Sequence, residues 1–78
     1  MDVERLQREG RLAELKRRAT DLELSMSGDL VAIRLILDPH EDLEKIKADQ
    51  AAAQVVEFSI KHAEYLKTLA KIRAIEES

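Results

Sequence analysis

Apolar residues in the first half of the chain recur at helical spacing: Leu15, Ala19, Leu22, Met26, Leu30, Ile33 and Leu37 are separated by 4, 3, 4, 4, 3 and 4 residues. One unbroken stripe of this kind predicts an amphipathic helix. It passes Ser27-Gly28 without losing phase, and glycine inside a helix costs only about 1 kcal/mol relative to alanine. The expected element is one helix over residues 2 to 37, with Gly28 the place where it would bend or break. The β-branched residues between Leu30 and Leu37 favour a strand locally, but no other segment offers a strand to pair with, so the helix prevails. The 11-residue steps from Leu15 to Met26 to Leu37 approximate 3.67 residues per turn and predict little left-handed supercoil. Towards the N-terminus the same face carries Leu12, then Arg8 and Arg5, so packing should weaken before residue 10.

Asp38-Pro39-His40-Glu41 interrupts this pattern. An aspartate able to cap free amides, a proline suited to the first helical position and a glutamate that completes a capping box predict a helix start. The second helix is expected over residues 39 to 76, about 55 Å long at 1.5 Å per residue. Its longest stripe is mostly small: Ala48, Ala52, Val55, Ser59, Ala63, Leu66, Ala70 and Ala74. Such a face lets two backbones approach closely, with the large side chains of the first helix filling the space beside it. Counting outward from the turn places Leu22 near Val55, Leu15 near Ala63 and Leu12 near Leu66. The predicted fold is all-α, an antiparallel hairpin of two long helices forming a single domain over residues 1 to 78.

Further apolar positions lie off these stripes. Ala51, Phe58, Tyr65 and Ile72 recur every seven residues with Leu69 alongside, and the first helix adds Leu24, Val31 and Leu35. A two-helix hairpin buries one stripe per helix, so the remainder implies association, most simply a dimer forming a four-helix bundle. Phe58, Tyr65, Leu69 and Ile72 are the expected interface with a second copy or a helical partner. At the C-terminal end, Glu76 and Glu77 oppose the helix dipole, which predicts fraying.

Composition narrows the class. The chain of 78 residues is 37% charged, 45% hydrophobic and 3% aromatic, the profile of long helices and coiled coils. A chain of this size supplies only a few kcal/mol of net stability from one core, which makes a partner subunit plausible. With no cysteine there is no disulfide, thiol nucleophile or thiolate metal site. No secretory signal opens the sequence, and the apolar run from Leu30 to Leu37, broken by Arg34, is far short of the roughly 20 residues a membrane span needs. A soluble, cytoplasmic protein is expected.

Candidate chemistry is sparse. His40 lies beside Glu41, Asp42 and Glu44, and reads as a solvated first-turn residue rather than a metal ligand. His62 lacks the second histidine of His-Glu-x-x-His and the Glu-x-x-His pair of di-iron bundles, so it is expected to flank the packed seam. Adjacent acids such as Glu41-Asp42 and Glu76-Glu77 point in different directions. Ser25, Ser27, Ser59 and Ser78 have no triad partners, and the isolated Gly10 and Gly28 make no phosphate loop. No catalytic, cofactor, metal or small-molecule site is expected, and the chain reads as a non-enzyme.

Net charge of −3 argues against a globally basic nucleic-acid binder. The N-terminal arm is locally basic, with Arg5, Arg8, Arg11, Lys16, Arg17 and Arg18 against Glu9 and Glu14. The alternative reading is therefore an accessory protein that contacts phosphates through Arg5, Arg8, Arg11 and Arg18. No aromatic side chain accompanies them for base stacking, and the interleaved acids fit intrahelical ion pairs better. A membrane-surface role is disfavoured because the aromatic and basic residues lie on different helices.

Leu37-Asp38-Pro39, followed by Lys47-Ala48-Asp49-Gln50-Ala51-Ala52-Ala53-Gln54, resembles a pattern in small helical proteins of Mu-like prophage gene clusters. The resemblance covers about a third of the chain. It implies a phage-derived origin and brings no catalytic or binding residues. The function expected from the residues is helix-mediated interaction or oligomerisation, as a coiled-coil-like adaptor or structural protein.

Overall fold

Asp2 opens the first helix from an extended backbone, its Oδ1 accepting the Arg5 amide at 3.1 Å. A side-chain cap of this kind satisfies one of the otherwise orphaned amides of the first turn. In a computed structural model, which describes residues 2 to 77, helix α1 then runs from Val3 to Ile36. Met1 and Ser78 lie outside the described residues. The helix continues through Ser27 and Gly28, and a Cβ at Gly28 would meet nothing within 4 Å. The 30-residue helix α2, Ala48–Glu77, returns antiparallel to α1. As α1 is followed upward its partners descend α2: Arg8 reaches Ile75, Arg18 reaches Glu64 and Asp29 reaches Gln54. The result is a rod of 65 × 15 × 15 Å with no strand among the described residues.

The connection is longer than the capping box implies. Asp38 Oδ1 accepts the His40 amide at 2.9 Å, and the Asp38 carbonyl accepts that of Glu41 at 3.1 Å, which closes a turn. The Glu41 carboxylate takes the amide of Asp42 at 3.0 Å instead of reaching back to Asp38. A short 3-10 turn, Leu43–Lys45, follows, and the Lys47 carbonyl accepts the first α2 bond from Ala51 at 3.1 Å. The second helix thus begins at Ala48, not at residue 39. Seam phase explains why: carried backward from Ala51 in steps of 4, 3 and 4, the inner face of α2 would present Lys47, Glu44 and His40 to α1. Breaking the helix there keeps these polar groups in water and turns Ile46 half inward.

Heptads run along both inner faces. On α1 the series is Leu12, Leu15, Ala19, Leu22, Met26, Asp29, Ile33 and Ile36; on α2 it is Ala51, Gln54, Phe58, Lys61, Tyr65, Thr68, Ile72 and Ile75. Every one of these residues is buried or half-buried. Both series alternate steps of 3 and 4, the 3.5-residue repeat of a left-handed pair. This corrects the 3.67-residue reading. The predicted α1 stripe holds from Leu15 to Met26, after which Asp29 and Ile36 take the inner positions and Leu30 and Leu37 swing outward.

On α2 the face itself is exchanged. The stripe Ala48, Ala52, Val55, Ser59, Ala63, Leu66, Ala70 and Ala74 is exposed along its whole length, whereas Ala51 and Ile72 are only 3% and 8% exposed. Bulk decides between them: the inner face hides Phe58, Tyr65, Ile72 and Ile75, and aromatic side chains alone bury roughly 150–250 Å² each. The later helix start also moves the register. Asp29 lies between Gln54 and Lys61 of α2, and Tyr65 rather than Val55 stands at the level of Leu22 and Glu23, a slip of between two and three turns at 3.6 residues each.

Candidate association surface

Phe58, Tyr65, Leu69 and Ile72, the residues expected to meet a partner, pack instead against α1 within the same chain. Ile72 is buried and the other three are half-buried. Tyr65 donates its hydroxyl to Glu23 Oε1 of α1 at 3.0 Å. That bond first, then partial desolvation and the Glu23 charge, hold the phenol pKa above its ordinary 10.0. Phe58 stacks on His62, ring centres 5.6 Å apart and planes 16° from parallel, which places His62 on the flank of the seam.

Within the seam lies a polar layer that sequence reasoning missed. Asp29, only 6% exposed, accepts from Gln54 Nε2 at 2.9 Å and from Lys61 Nζ at 2.9 Å and 3.2 Å. A carboxylate in such a position is tolerable only because its acceptor capacity is used. The buried Thr68 likewise donates to the Glu64 carbonyl at 2.9 Å. No buried side-chain N or O among the described residues lacks a partner. A single polar group at an inner heptad position fixes register at some cost in stability. Asp29 is placed for such a role, since in this alignment it meets both Gln54 and Lys61. The available signal was the seven-residue series Leu15, Leu22, Asp29, Ile36.

The outer side of α2 has the opposite character. Between Asp49 and Lys67 its charged residues are Glu57, Lys61 and Glu64; Lys61 and Glu64 bond to Asp29 and Arg18 of α1, and Glu57 is an exposed neighbour of the seam residue Phe58 in sequence. The outward face carries Val55, Val56, Ile60 and Leu66, at 44%, 58%, 66% and 52% exposure, among Ala52, Ala53, Ser59 and Ala63. Leu24, Val31 and Leu35 form a smaller exposed set on the back of α1, with Asp21 and Arg34 nearby in sequence.

The basic arm is largely engaged with acceptors. Arg8 donates to the Ile75 carbonyl at 2.7 Å, where a cation suits the C-terminal end of α2. Arg18 pairs with Glu64, Lys16 with Glu76 at 3.3 Å, and Arg5 with Glu9 at 3.3 Å. Arg11 and Arg17 are exposed. A shallow groove at this open end, lined by Asp2, Arg5, Arg8, Glu9, Leu12 and Glu76, mixes both charge signs and concentrates no positive potential. Among the described residues no group of three His, Asp or Glu side chains is placed to hold a metal ion. Nor is any helix among the described residues long and apolar enough to cross a membrane.

Compared with known proteins, the chain matches no family model, no curated protein and no solved structure.

Proposed function

We propose that the hairpin is a non-enzymatic association module that acts in the cytoplasm, with a helical partner seated on the outward face of α2. The observation that carries this reading is the charge-free outward stretch between Asp49 and Lys67 with four large aliphatic side chains about half exposed. Isolated surface aliphatics need no explanation, but a contiguous set on one helix face does. Surface area supports the same reading. The chain exposes 6318 Å², whereas a compact monomer of 8.9 kDa exposes about 4,800 Å² by the usual mass scaling. A hairpin is one layer of helices, and stable domains are built from packed layers. The prophage origin implied by residues 37 to 54 belongs to this proposal as provenance and gives no residue a role.

The alternative, phosphate contact through Arg5, Arg8, Arg11 and Arg18, has less support, since Arg5, Arg8 and Arg18 hold protein acceptors and acids are interleaved along the arm. A photo-activatable side chain at Ile60 tests the proposal inside the expressing cell. The expected result is one discrete cross-linked species from position 60 and none from the same group at Arg17 on the back of α1. Equal labelling from both positions, or none from Ile60, would overturn it.

A further inference from the structure

The geometry points to a second copy of this chain as the occupant of that face, its α2 antiparallel to the first; this rests on the association reading above. Asp49, Ala52, Val56, Ser59, Ala63, Leu66, Ala70 and Arg73 follow steps of 3, 4, 3, 4, 3, 4 and 3, a second heptad seam on the side of α2 away from α1. Reversed about its midpoint at Lys61, this series is complementary to itself. Ser59 meets Ala63 of the other copy, Val56 meets Leu66, Ala52 meets Ala70, and Asp49 meets Arg73. Small faces small, large faces large, and an acid faces a base at both ends. A parallel pairing would instead set Asp49 against Asp49 and Arg73 against Arg73, which like-charge repulsion disfavours.

Self-complementarity of one patch under a two-fold axis is the requirement for an isologous dimer. The small residues at the axis let the helices approach closely, and Ile60 lies beside it where it packs against its own symmetry mate. The available surface fits. The excess of 6318 Å² over the value for a compact chain is roughly 1,500 Å², more than the ~800 Å² each partner contributes to a stable interface. The assembly is a four-helix bundle with the two α2 helices at its centre and the α1 helices outside. That arrangement differs from one closed through Phe58 and Tyr65, because those rings already fill the seam within each chain.

Sedimentation equilibrium of the purified chain, together with oxidation of an equimolar mixture of Ser59→Cys and Ala63→Cys chains, tests this. The expected mass is twice that of one chain, with the disulfide joining 59 to 63 in large excess over 59 to 59. Leu66→Glu should give a helical species of monomer mass. A monomer at about 100 μM, far above the Kd of an ordinary stable dimer, would refute the second copy and leave the association reading to the Ile60 cross-link. A dimer joined mainly 59 to 59 would refute the antiparallel pairing alone. A dimer indifferent to Leu66→Glu would refute both, since another face would then hold it.

Discussion

The inner and outer faces of α2 carry the same repeat and nearly the same hydrophobicity, yet one is packed against α1 and the other is bare. What separates them is bulk combined with polar complementarity. The inner face has the rings of Phe58 and Tyr65 and also brings Gln54 and Lys61 to Asp29 and Tyr65 to Glu23. The outer face has smaller side chains, and its charged groups, Asp49 and Arg73, stand only at its two ends. The lesson is that a heptad of apolar residues says a helix wants a partner, while the polar groups within it say which partner and in what register.

The largest effect that would sharpen this comparison is expected from the inner seam. Leu22→Ala, at a site only 4% exposed, should cost about 2–4 kcal/mol, read as a shift in the urea midpoint. Leu24→Ala, an outward position on the same helix, should cost under about 0.5 kcal/mol. Equal costs would mean that the inner and outer faces have been confused.

Asp29→Ala leaves Lys61 and Gln54 without their acceptor. Lys61 is about one-third exposed and can turn to water, so the expected loss is smaller, about 1–2 kcal/mol. Replacing Asp29 and Lys61 together by Leu should recover or exceed the original stability while loosening the register. Urea denaturation reads the first effect and intramolecular cysteine cross-linking the second; a double variant that stays locked in one register would deny Asp29 its role.

Gly28 lies mid-helix with open space where a Cβ would stand. Gly28→Ala should therefore stabilise the hairpin by about 0.5–1 kcal/mol. A destabilised variant would show that α1 needs a distortion there.

The smallest effect is alkaline. The folded state raises the Tyr65 pKa above 10.0, so it favours the neutral phenol. The stability this supplies is complete below the ordinary value and is lost as pH rises through the raised one. The stability advantage of the chain over Tyr65→Phe should hold steady at neutral pH and shrink above pH 10, measured by thermal melts across that range.

Much of the fold was legible in the residues. The stripe from Leu15 to Met26 and its continuation to Leu37 predicted a helix over 2 to 37, and α1 is Val3–Ile36. The return of a second helix as an antiparallel hairpin was equally legible, because no other segment could cover the first. The start of α2 was not. Asp38, Pro39 and Glu41 carry helix-capping signals, but a local signal cannot register that the helix it starts would aim Lys47 and Glu44 at α1. Nor was the choice of face on α2 fully legible: the bulk of Phe58 and Tyr65 is visible in the residues, but the polar complement that goes with it depends on Asp29 being buried. Nothing in a single chain marks an aspartate as a seam residue until its partners, 25 and 32 residues away, are brought to it. The candidate surface follows from that choice: with the small-residue stripe placed inward, Phe58, Tyr65, Leu69 and Ile72 read as outward.

Both the face and the register of α2 are reported by one measurement, intramolecular cross-linking of cysteine pairs with a short bifunctional reagent. The account expects Leu22→Cys with Tyr65→Cys to link efficiently, since Glu23 already holds the Tyr65 hydroxyl, and Leu22→Cys with Val55→Cys not to link. Position 55 lies ten residues away on the exposed side of the same helix, about 15 Å along its axis. Efficient linkage of 22 to 55 with none of 22 to 65 would contradict the account.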